Sequence, residues 1–345
     1  MPDADYDESH HARRVAEHLG TRHTELSASP QETLFDDLRH LIALTGEPTA
    51  DSSVLPTYWL CKAARQQVTV ALCGDGGDEL FGGYDRYRAM RLLAHHQWWL
   101  RLLPRALLTS ANPRSRRHRL ARLIDAARQH GESLQYRRMI HLFTDEQIRE
   151  LAEPFGPEPP HAPAAWSPPG TGVPVMLDGW PDEPDPVRAA MQWDLRHYLP
   201  FDLLRKMDRA SMAVALEVRC PLLDTHVVEF ALQLPTNVLM PGGRPKGLLR
   251  QLAAELLPPE IAARPKRGFA VPIGQWFRGP LRTQLSEHLL EGPLASLGVN
   301  RYAAERMLDE HSRQSADHTH RLFALLMLSL FAAWVKDPKC PVESR

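Results

Sequence analysis

The stretch QVTVALCGDGGDELFGGYDRY, residues 67–87, decides the fold of this chain. It starts with an apolar run from Val68 to Leu72 that is rich in β-branched residues and predicts a short buried strand. Glycines and aspartates then crowd together before Leu80 and Phe81, so we expect a tight loop and the start of a helix. Ligands of open α/β sheets bind outside the carboxyl ends of the strands, which makes this loop the first candidate for a binding site.

The loop is acidic, whereas loops that cradle phosphate directly combine glycines with a Lys and a Ser or Thr. Asp75, Asp78 and Glu79 would repel a phosphate unless a cation lay between them. Mg²⁺ takes carboxylate oxygens together with substrate phosphates, so the pattern predicts a Mg²⁺-nucleotide or Mg²⁺-pyrophosphate site. The alternative is an acidic turn that caps the next helix. Three carboxylates and three glycines at a strand end favour the functional interpretation.

The composition narrows the class of protein. The chain has 345 residues, of which 43% are hydrophobic, and this is enough for a sizeable core. Its formal net charge of -1 argues against a general nucleic-acid binder. The cysteines are scattered without CxxC spacing, which predicts neither a zinc site nor a disulfide framework and favours a reducing cytoplasm. The polar N-terminus predicts no signal peptide, and the apolar run LFALLMLSLFAAWV predicts a buried core helix and no membrane span.

Most of the remaining chain has helical patterns. Helices are expected in residues 5–20, ending at Gly20, in residues 31–66 as a pair around a loop, and in residues 88–150 and 187–235. His23 to Leu26 is a short strand candidate. The proline-rich residues 154–186 predict an irregular surface excursion.

Charged residues outside the loop have mainly structural interpretations. The basic run after Pro113 is expected to be a solvated helix face, because no aromatic residues interleave with its arginines. Five charged side chains are expected near the interior and would need partners there: Lys206, Asp208, Arg209, Glu217 and Arg219. A structural ion network is predicted for Glu217 and Arg219, whereas the roles of Asp208 and Arg209 stay open.

GDGGDELFGGYDRY resembles the second signature of the synthetase domain of glutamine-dependent asparagine synthetases, a domain that is also similar to β-lactam synthetase. Residues 202–224, DLLRKMDRASMAVALEVRCPLLD, resemble the family's central helix and turn. Residues 264–277, RPKRGFAVPIGQWF, resemble its flexible loop with a lysine, and residues 3–26 resemble the segment that follows its pyrophosphate loop. The resemblance therefore runs in order through nearly the whole chain.

The resemblance implies an α/β fold of the adenine-nucleotide alpha-hydrolase-like, or ATP-pyrophosphatase, type, with a parallel sheet that is truncated on its N-terminal side and a large helical part. Residues 1–345 would form one synthetase-type domain. Residues 1–90 would be a partial nucleotide-binding α/β part, and residues 91–345 a mainly helical part that contains the proline-rich excursion.

The family's pyrophosphate loop, SGGxDSS after a strand, is not expected within these residues. The triplet Asp51-Ser52-Ser53 lacks the glycine pair and follows Pro48; it resembles the family's downstream EPxADSS segment, in which Asp51 would cap the next helix. By the resemblance, a glutaminase domain with an N-terminal cysteine nucleophile would come before this point. The sequence thus predicts a fragment, a split subunit or a remnant, and leaves open whether the chain is an enzyme alone.

The function implied by the resemblance is ATP-dependent conversion of aspartate to asparagine through a β-aspartyl-adenylate, with ATP and Mg²⁺. Asp78 is the candidate metal-side carboxylate, and Asp75 takes the place of a frequent Glu as the candidate base for ammonia or the group that holds the intermediate. Lys266 would stabilise charge at the α-phosphate during adenylation. The remaining candidate nucleotide- or substrate-binding residues are Leu72, Cys73, Gly74, Gly76, Gly77 and Glu79.

The partners implied by this function are aspartate or another carboxylate substrate, and a source of ammonia or a separate glutaminase chain. A homodimer is a further expected assembly, whereas nucleic acid and membranes are not expected. Two alternatives stay open. One is an amidotransferase that acts on another carboxylate, and the other is a non-catalytic remnant or subunit that binds a partner through an exposed sheet edge.

Overall fold

The computed structural model describes residues 7–26, 33–104, 115–152, 179–264 and 271–337. They form a mostly helical α/β structure with one small parallel sheet of two strands within the described residues. The α-helices are α1 Ser9–Leu19, α2 Leu34–Thr45, α3 Val54–Arg65, α4 Gly77–Phe81, α5 Asp85–Leu102, α6 Arg116–Ala127, α7 Glu132–Ile140, α8 Asp145–Leu151, α9 Pro186–Trp193, α10 Arg205–Met212, α11 Thr225–Gln233, α12 Thr236–Leu239, α13 Gly247–Leu256, α14 Pro259–Ala262, α15 Ile273–Arg278, α16 Arg282–Ser286, α17 Arg301–Ser312 and α18 Thr319–Lys336. The strands are β1 Val70–Leu72 and β2 Glu217–Arg219.

Several turns of other helix types connect these elements. Wider π-helical turns span Asp194–Leu204 and Glu287–Glu291, and 3₁₀ turns span Pro221–Leu223, Pro241–Gly243 and Pro293–Leu297. Pro200 lies inside the first π-helical segment. Proline has no N–H to donate and its ring crowds the preceding turn, so the chain leaves regular α-helical geometry there.

The described residues fall into two compact units. The first contains residues 7–26, 53–96, 179–264 and 271, and the second contains residues 33–52, 97–104, 115–152 and 272–337. In the first unit, α3 packs against α10, and β1 pairs with β2. Its buried side chains include Leu55 of α3, Leu80 of α4 and Tyr87 of α5. This core supports the strand ends and the loop that follows β1.

The second unit is built around α18, which packs against α2 and α17. Apolar side chains such as Leu322, Phe323 and Leu326 are fully buried there, which confirms the prediction of a core helix. Among the described residues, α18 is the one helix long and apolar enough to cross a membrane by length and composition alone, and a helix buried inside a protein meets the same criteria.

Local sequence features mark several helix ends, and the predicted end at Gly20 is confirmed. Gly20 ends α1 in the left-handed conformation with φ 64°, and Asp224 accepts a hydrogen bond from the His226 N–H at the start of α11. Asp185 caps α9 ahead of Pro186, which occupies the first helical position. The prediction for Asp51 is wrong, since the residue at the N-cap of α3 is Ser53.

Two predictions from the sequence about strands are also wrong. Residues 23–26 are not a strand, and His23 instead contacts Glu25. The helical prediction for residues 187–235 misses β2, which is only three residues long and therefore has too little alternation to be recognised. The first part of the proline-rich excursion, up to residue 178, lies outside the described residues, and residues 179–185 have no regular structure.

Two burial predictions need correction. The predicted buried strand is β1, yet Val68 and Val70 are exposed and Leu72 has 71% of its surface exposed, because β2 is its one neighbour in the sheet among the described residues. The charged residues expected near the interior lie largely outside it. Glu217 and Arg219 do form an ion pair of 2.7 Å, but both side chains are more than half exposed. Asp208 and Arg209 are likewise exposed.

Candidate functional site

Two strand ends meet at one edge of the small sheet. β1 and β2 run parallel in the register Val70↔Glu217 and Leu72↔Arg219, and the Cys73 N–H donates to the Arg219 carbonyl at 2.9 Å. Because the strands are parallel, the segments that follow them leave from the same edge. The segment after β1 is the acidic glycine loop, and the segment after β2 is Cys220 with the turn Pro221–Leu223.

The glycine loop packs tightly against the turn after β2. Gly76 has φ 88°, in the left-handed region, and a Cβ on it would overlap the Leu223 side chain. A Cβ on Gly77 would lie only 2.8 Å from Leu222 Cδ1. Glycine is therefore required at residue 76 both by backbone conformation and by the close approach of Leu223. The contact fixes the start of α4, which carries two of the candidate carboxylates.

Asp78, on the first turn of α4, has a cationic partner. Lys246 Nζ lies 3.2 Å from Asp78 Oδ1, and both side chains are partly exposed. The Lys246 backbone is left-handed with φ 52°, and its N–H donates to the Gly82 carbonyl at 3.3 Å. Lys246 thus reaches the loop from the start of α13. The sequence gives no local signal for this role, because Lys246 is distant from the loop along the chain.

Glu79 points away from solvent. Its side chain is 1% exposed and accepts a hydrogen bond from the Tyr84 hydroxyl. Burial raises the pKa of the Glu79 carboxyl, and burial likewise raises the pKa of Tyr84. The Arg86 guanidinium lies 3.7 Å from the centre of the Tyr84 ring. The arrangement gives Glu79 a supporting position beneath the loop.

A buried ion pair anchors the same region. Arg86 donates to Asp194 Oδ2 at 2.7 Å, and the Tyr87 hydroxyl donates to the same oxygen at 2.5 Å. Asp194 is fully buried, so these charge-assisted bonds form at low local dielectric, where they are strong. They tie α5 to the start of the π-helical segment. Arg86 and Asp194 are 108 positions apart along the chain, so no local sequence pattern indicates this pair.

The remaining candidate residues lie at the strand end. Leu72 and Gly74 are exposed, and nothing lies within 4 Å of the position that a Cβ on Gly74 would occupy. Cys73 and Asp75 are partly buried, and burial raises the pKa of the Cys73 thiol to about 12. Cys73 Sγ lies 3.2 Å from Cys220 Sγ, so two of the scattered cysteines meet at this edge. The spacing of the cysteines along the sequence does not indicate this contact, which arises from the pairing of the two strands.

Other residues named from the sequence lie in different surroundings. Lys206 Nζ donates to the Ser53 hydroxyl at 2.7 Å, which links α10 to the start of α3. Ser52 is buried in the second unit, where its hydroxyl lies 3.1 Å from Nδ1 of His320. Lys266 lies outside the described residues.

The comparisons with known proteins agree with these local features. The family model described as asparagine synthase matches residues 1–336. The chain is similar to the Mycobacterium tuberculosis protein named "Putative asparagine synthetase (glutamine-hydrolyzing)", with 31% identity over 95% of this chain and 50% of the relative. It is also similar to asparagine synthetase (glutamine-hydrolyzing) 1 of Bacillus subtilis, with 25% identity over 94% of this chain and 49% of the relative.

A third relative has a different name. Amidase chry2 of Gibberella zeae is 25% identical over 85% of this chain and 45% of its own length. The chain thus spans about half the length of the relatives it matches. A family model that covers residues 1–336, together with a glycine loop at the shared edge of two parallel strands, establishes that the chain belongs to the asparagine synthase family.

Proposed function

We propose that this chain carries the synthetase chemistry of its family, the ATP-dependent formation of an amide from a carboxylate and ammonia. The observation that carries the proposal is the acidic glycine loop at the carboxyl edge of β1 and β2, with Asp78 paired to Lys246. Family membership supports the use of ATP in general. We also propose that the small parallel sheet is part of an adenine-nucleotide alpha-hydrolase-like fold, in which nucleotides bind at this edge.

The proposed reaction has two balanced steps. The β-carboxylate of aspartate attacks the α-phosphorus of ATP, the bond to the bridging oxygen breaks, and pyrophosphate leaves with the electron pair. Ammonia then attacks the carbonyl carbon of β-aspartyl-adenylate, AMP leaves, and one ammonia proton passes to a base. Adenylation is needed because a free carboxylate has a poor leaving group.

Asp78 is proposed as the carboxylate on the metal side of the site. Its partly exposed oxygens suit a hard divalent cation, and its pairing with an ammonium group shows that it accepts a positive charge at this place. When bound, Mg²⁺ would neutralise charge on the departing pyrophosphate. Lys246 is proposed to hold Asp78 in place before the substrate arrives and to share that neutralising task.

Asp75 is proposed as the base that accepts the ammonia proton or as the group that orients the adenylate. It lies in the loop just after β1 and is partly exposed, so a substrate can reach it. Lys266 is proposed to place its ammonium beside the α-phosphate. Residues 72–74 and the glycines 76 and 77 would form the wall of the nucleotide pocket.

Glu79 is proposed to act from below the pocket. Because its carboxylate is buried and bonded to Tyr84, it is placed to hold the loop and α4 together and not to contact the nucleotide directly. The sequence predicts that Glu79 binds the nucleotide or substrate, whereas we propose that it supports the loop.

A second substrate class has one observation in its favour. A relative named as an amidase has the same identity to this chain, 25%, as the asparagine synthetase of Bacillus subtilis, over 85% of the chain instead of 94%. We therefore propose another carboxylate as the alternative acceptor, with the same activation by ATP. The two candidate functions differ in which carboxylate substrate is needed for the release of pyrophosphate from ATP.

The test uses the complete gene product that contains residues 1–345, supplied with ATP, Mg²⁺, ammonium and aspartate. We expect AMP, pyrophosphate and asparagine in equal amounts, with release lowered on the order of a hundredfold or more in Asp78→Asn. Asp36→Asn, which changes an exposed carboxylate of α2, is the matched control and should leave the rate unchanged. Aspartate-dependent pyrophosphate release at the parent rate in Asp78→Asn would remove Asp78 from the site. Release with other carboxylates but not with aspartate would select the alternative.

A further inference from the structure

Two thiols and one carboxylate converge at the shared edge of the strands. The Sγ atoms of Cys73 and Cys220 and a carboxylate oxygen of Asp75 all lie within 4.8 Å of one another. All three residues are partly buried, so an ion can enter without unfolding the site. This is the one group of at least three His, Cys, Asp or Glu residues in the described part of the chain with such mutual distances.

The sheet brings these groups together. Leu72 pairs with Arg219 in the parallel register, so the next residues along each strand, Cys73 and Cys220, are neighbours although they are 147 positions apart. The Asp75 backbone N–H donates to the Cys73 sulfur and lowers the pKa of that thiol, opposing the rise caused by burial. A backbone donor of this kind stabilises a thiolate and also fixes its orientation.

We propose that Cys73, Asp75 and Cys220 bind Zn²⁺ or another borderline-soft divalent cation. Two thiolates and a carboxylate provide three ligands of the types that zinc prefers, and the fourth position is left to water or a ligand. With Zn–S bonds of about 2.3 Å in a tetrahedron, the two sulfurs should be roughly 3.8 Å apart. The observed 3.2 Å therefore requires the two thiols to move apart by a small rotation of their side chains.

This site differs from the Mg²⁺ site proposed at Asp78. Sulfur ligands select zinc-like ions over Mg²⁺, which takes oxygen ligands. Asp75 belongs to both proposals, so zinc held by Asp75 would remove that carboxylate from the amide-forming reaction. Binding of zinc can be measured without any substrate, and its outcome does not depend on the proposed function.

Metal binding by the two thiols has a consequence for protons. A free cysteine thiol carries its proton at neutral pH. A cation that binds the sulfur must displace the proton. Metal affinity should therefore rise with pH, and each binding event should release protons to the buffer.

The test uses Co²⁺ as a spectroscopic probe in place of Zn²⁺, with the full chain fully reduced and oxygen excluded. We expect a near-ultraviolet sulfur-to-cobalt absorption band that Zn²⁺ abolishes by displacement. The band should disappear in Cys220→Ser and in Cys73→Ser. Asp75→Asn should weaken the affinity by about tenfold or more. Cys61→Ser, at a buried cysteine outside the cluster, is the matched control and should keep the band.

A measurement on the unaltered chain guards against variants that fail to fold. Zn²⁺ should slow alkylation of Cys73 and Cys220, read by mass spectrometry of the peptides, and should leave the rate at Cys61 unchanged. Absence of the band together with unchanged alkylation in the reduced protein would overturn the proposal. So would a band that survives in Cys220→Ser but is lost in Cys340→Ser, because the terminal cysteine would then be the ligand.

Discussion

Lys246 Nζ lies 3.2 Å from Oδ1 of Asp78, so the acidic loop after β1 has a counter-charge supplied by the start of α13. The pair is 29% and 23% exposed, which leaves it open to solvent and to a competing cation. A phosphate and a metal ion would therefore meet a loop whose charge is partly balanced before they bind. The same ammonium group lies beside Gly77, at the start of the helix that carries Asp78.

We expect Lys246→Met to increase the affinity of the nucleotide-free protein for Mg²⁺ or Mn²⁺. In the parent protein, the Lys246 ammonium competes with the cation for Asp78, and the substitution takes away that competitor. Because the pair is solvent-exposed, the gain should be at most about tenfold, equivalent to roughly 1.4 kcal/mol. Isothermal titration of the metal measures it, with Lys62→Met on α3 as a control. An unchanged or weaker metal affinity would show that Lys246 does not compete for Asp78.

Two glycines of the loop offer a matched comparison of stability. Gly76→Ala should destabilise the protein, because the left-handed conformation costs about 1–2 kcal/mol for an L-residue and the new Cβ must displace Leu223. Gly74→Ala should change the free energy of unfolding by no more than about 0.5 kcal/mol, since nothing lies near its Cβ position. Urea unfolding of both variants measures the difference. Equal losses would mean that the packing of Leu223 against Gly76 does not stabilise the fold.

The sequence predicts the loop better than it predicts the sheet. The position of β1, the turn after it and the helix start follow from local patterns of apolar residues and glycines, and the structure confirms them at Val70–Leu72 and Gly77–Phe81. β2 escapes prediction because its three residues are too few to show a period. The exposure of Leu72 also escapes it, since burial depends on how many strands flank β1 and not on the residues of β1 itself.

The partners of the site residues are the part that local patterns cannot show. The resemblance of residues 74–87 to a known signature points to Asp75 and Asp78, but nothing near them indicates Lys246 or Cys220. These contacts arise from pairing between distant segments, as the separation of 147 positions between Cys73 and Cys220 illustrates. Once the pairing of the strands is known, the contact between the cysteines follows from it. Each cysteine directly follows a strand, and the two strands pair in parallel.

Glu79 should make stability depend on pH. Burial raises the pKa of its carboxyl in the folded state above the ordinary value of 4.5. Its contribution to stability is therefore fully present below the unfolded-state pKa and is lost as pH rises through the higher folded-state pKa. Glu79→Gln removes the cost of a buried charge and can still accept the Tyr84 hydroxyl. We expect the melting temperature of Glu79→Gln minus that of the parent to be larger at pH 8 than at pH 5.

The control for this pH dependence is Glu229→Gln on α11, an exposed carboxylate, for which the difference from the parent should be the same at both pH values. If Glu79→Gln gave a constant difference from pH 5 to pH 8, or a larger advantage at pH 5, burial would not raise the pKa of the Glu79 carboxyl. Tyr84→Phe should reduce stability both in the parent and in Glu79→Gln, because it removes the hydrogen bond from the phenol to the buried side chain of residue 79.

Lys266 should affect the rate of the reaction more than the binding of ATP. Arg264, two positions before Lys266, is anchored by two contacts. Arg250 donates a hydrogen bond to the Arg264 carbonyl at 3.0 Å, and the Arg264 guanidinium forms an ion pair of 2.7 Å with Glu8. We expect the Lys266 ammonium to stabilise the α-phosphate mainly in the transition state, when negative charge develops there. Lys266→Ala should therefore lower turnover on the order of a hundredfold with little change in the dissociation constant of ATP.

Single-turnover measurements and equilibrium binding of ATP separate these two effects in the complete gene product. Lys266→Arg, which keeps the positive charge, should restore part of the rate, whereas Lys62→Ala should leave both quantities at parent values. A proportional fall of affinity and turnover in Lys266→Ala would assign the lysine to binding of the ground state. Lys246 already provides a positive charge beside Asp78. A Lys266 ammonium that bound only the ground state would add affinity for ATP without accelerating the departure of pyrophosphate.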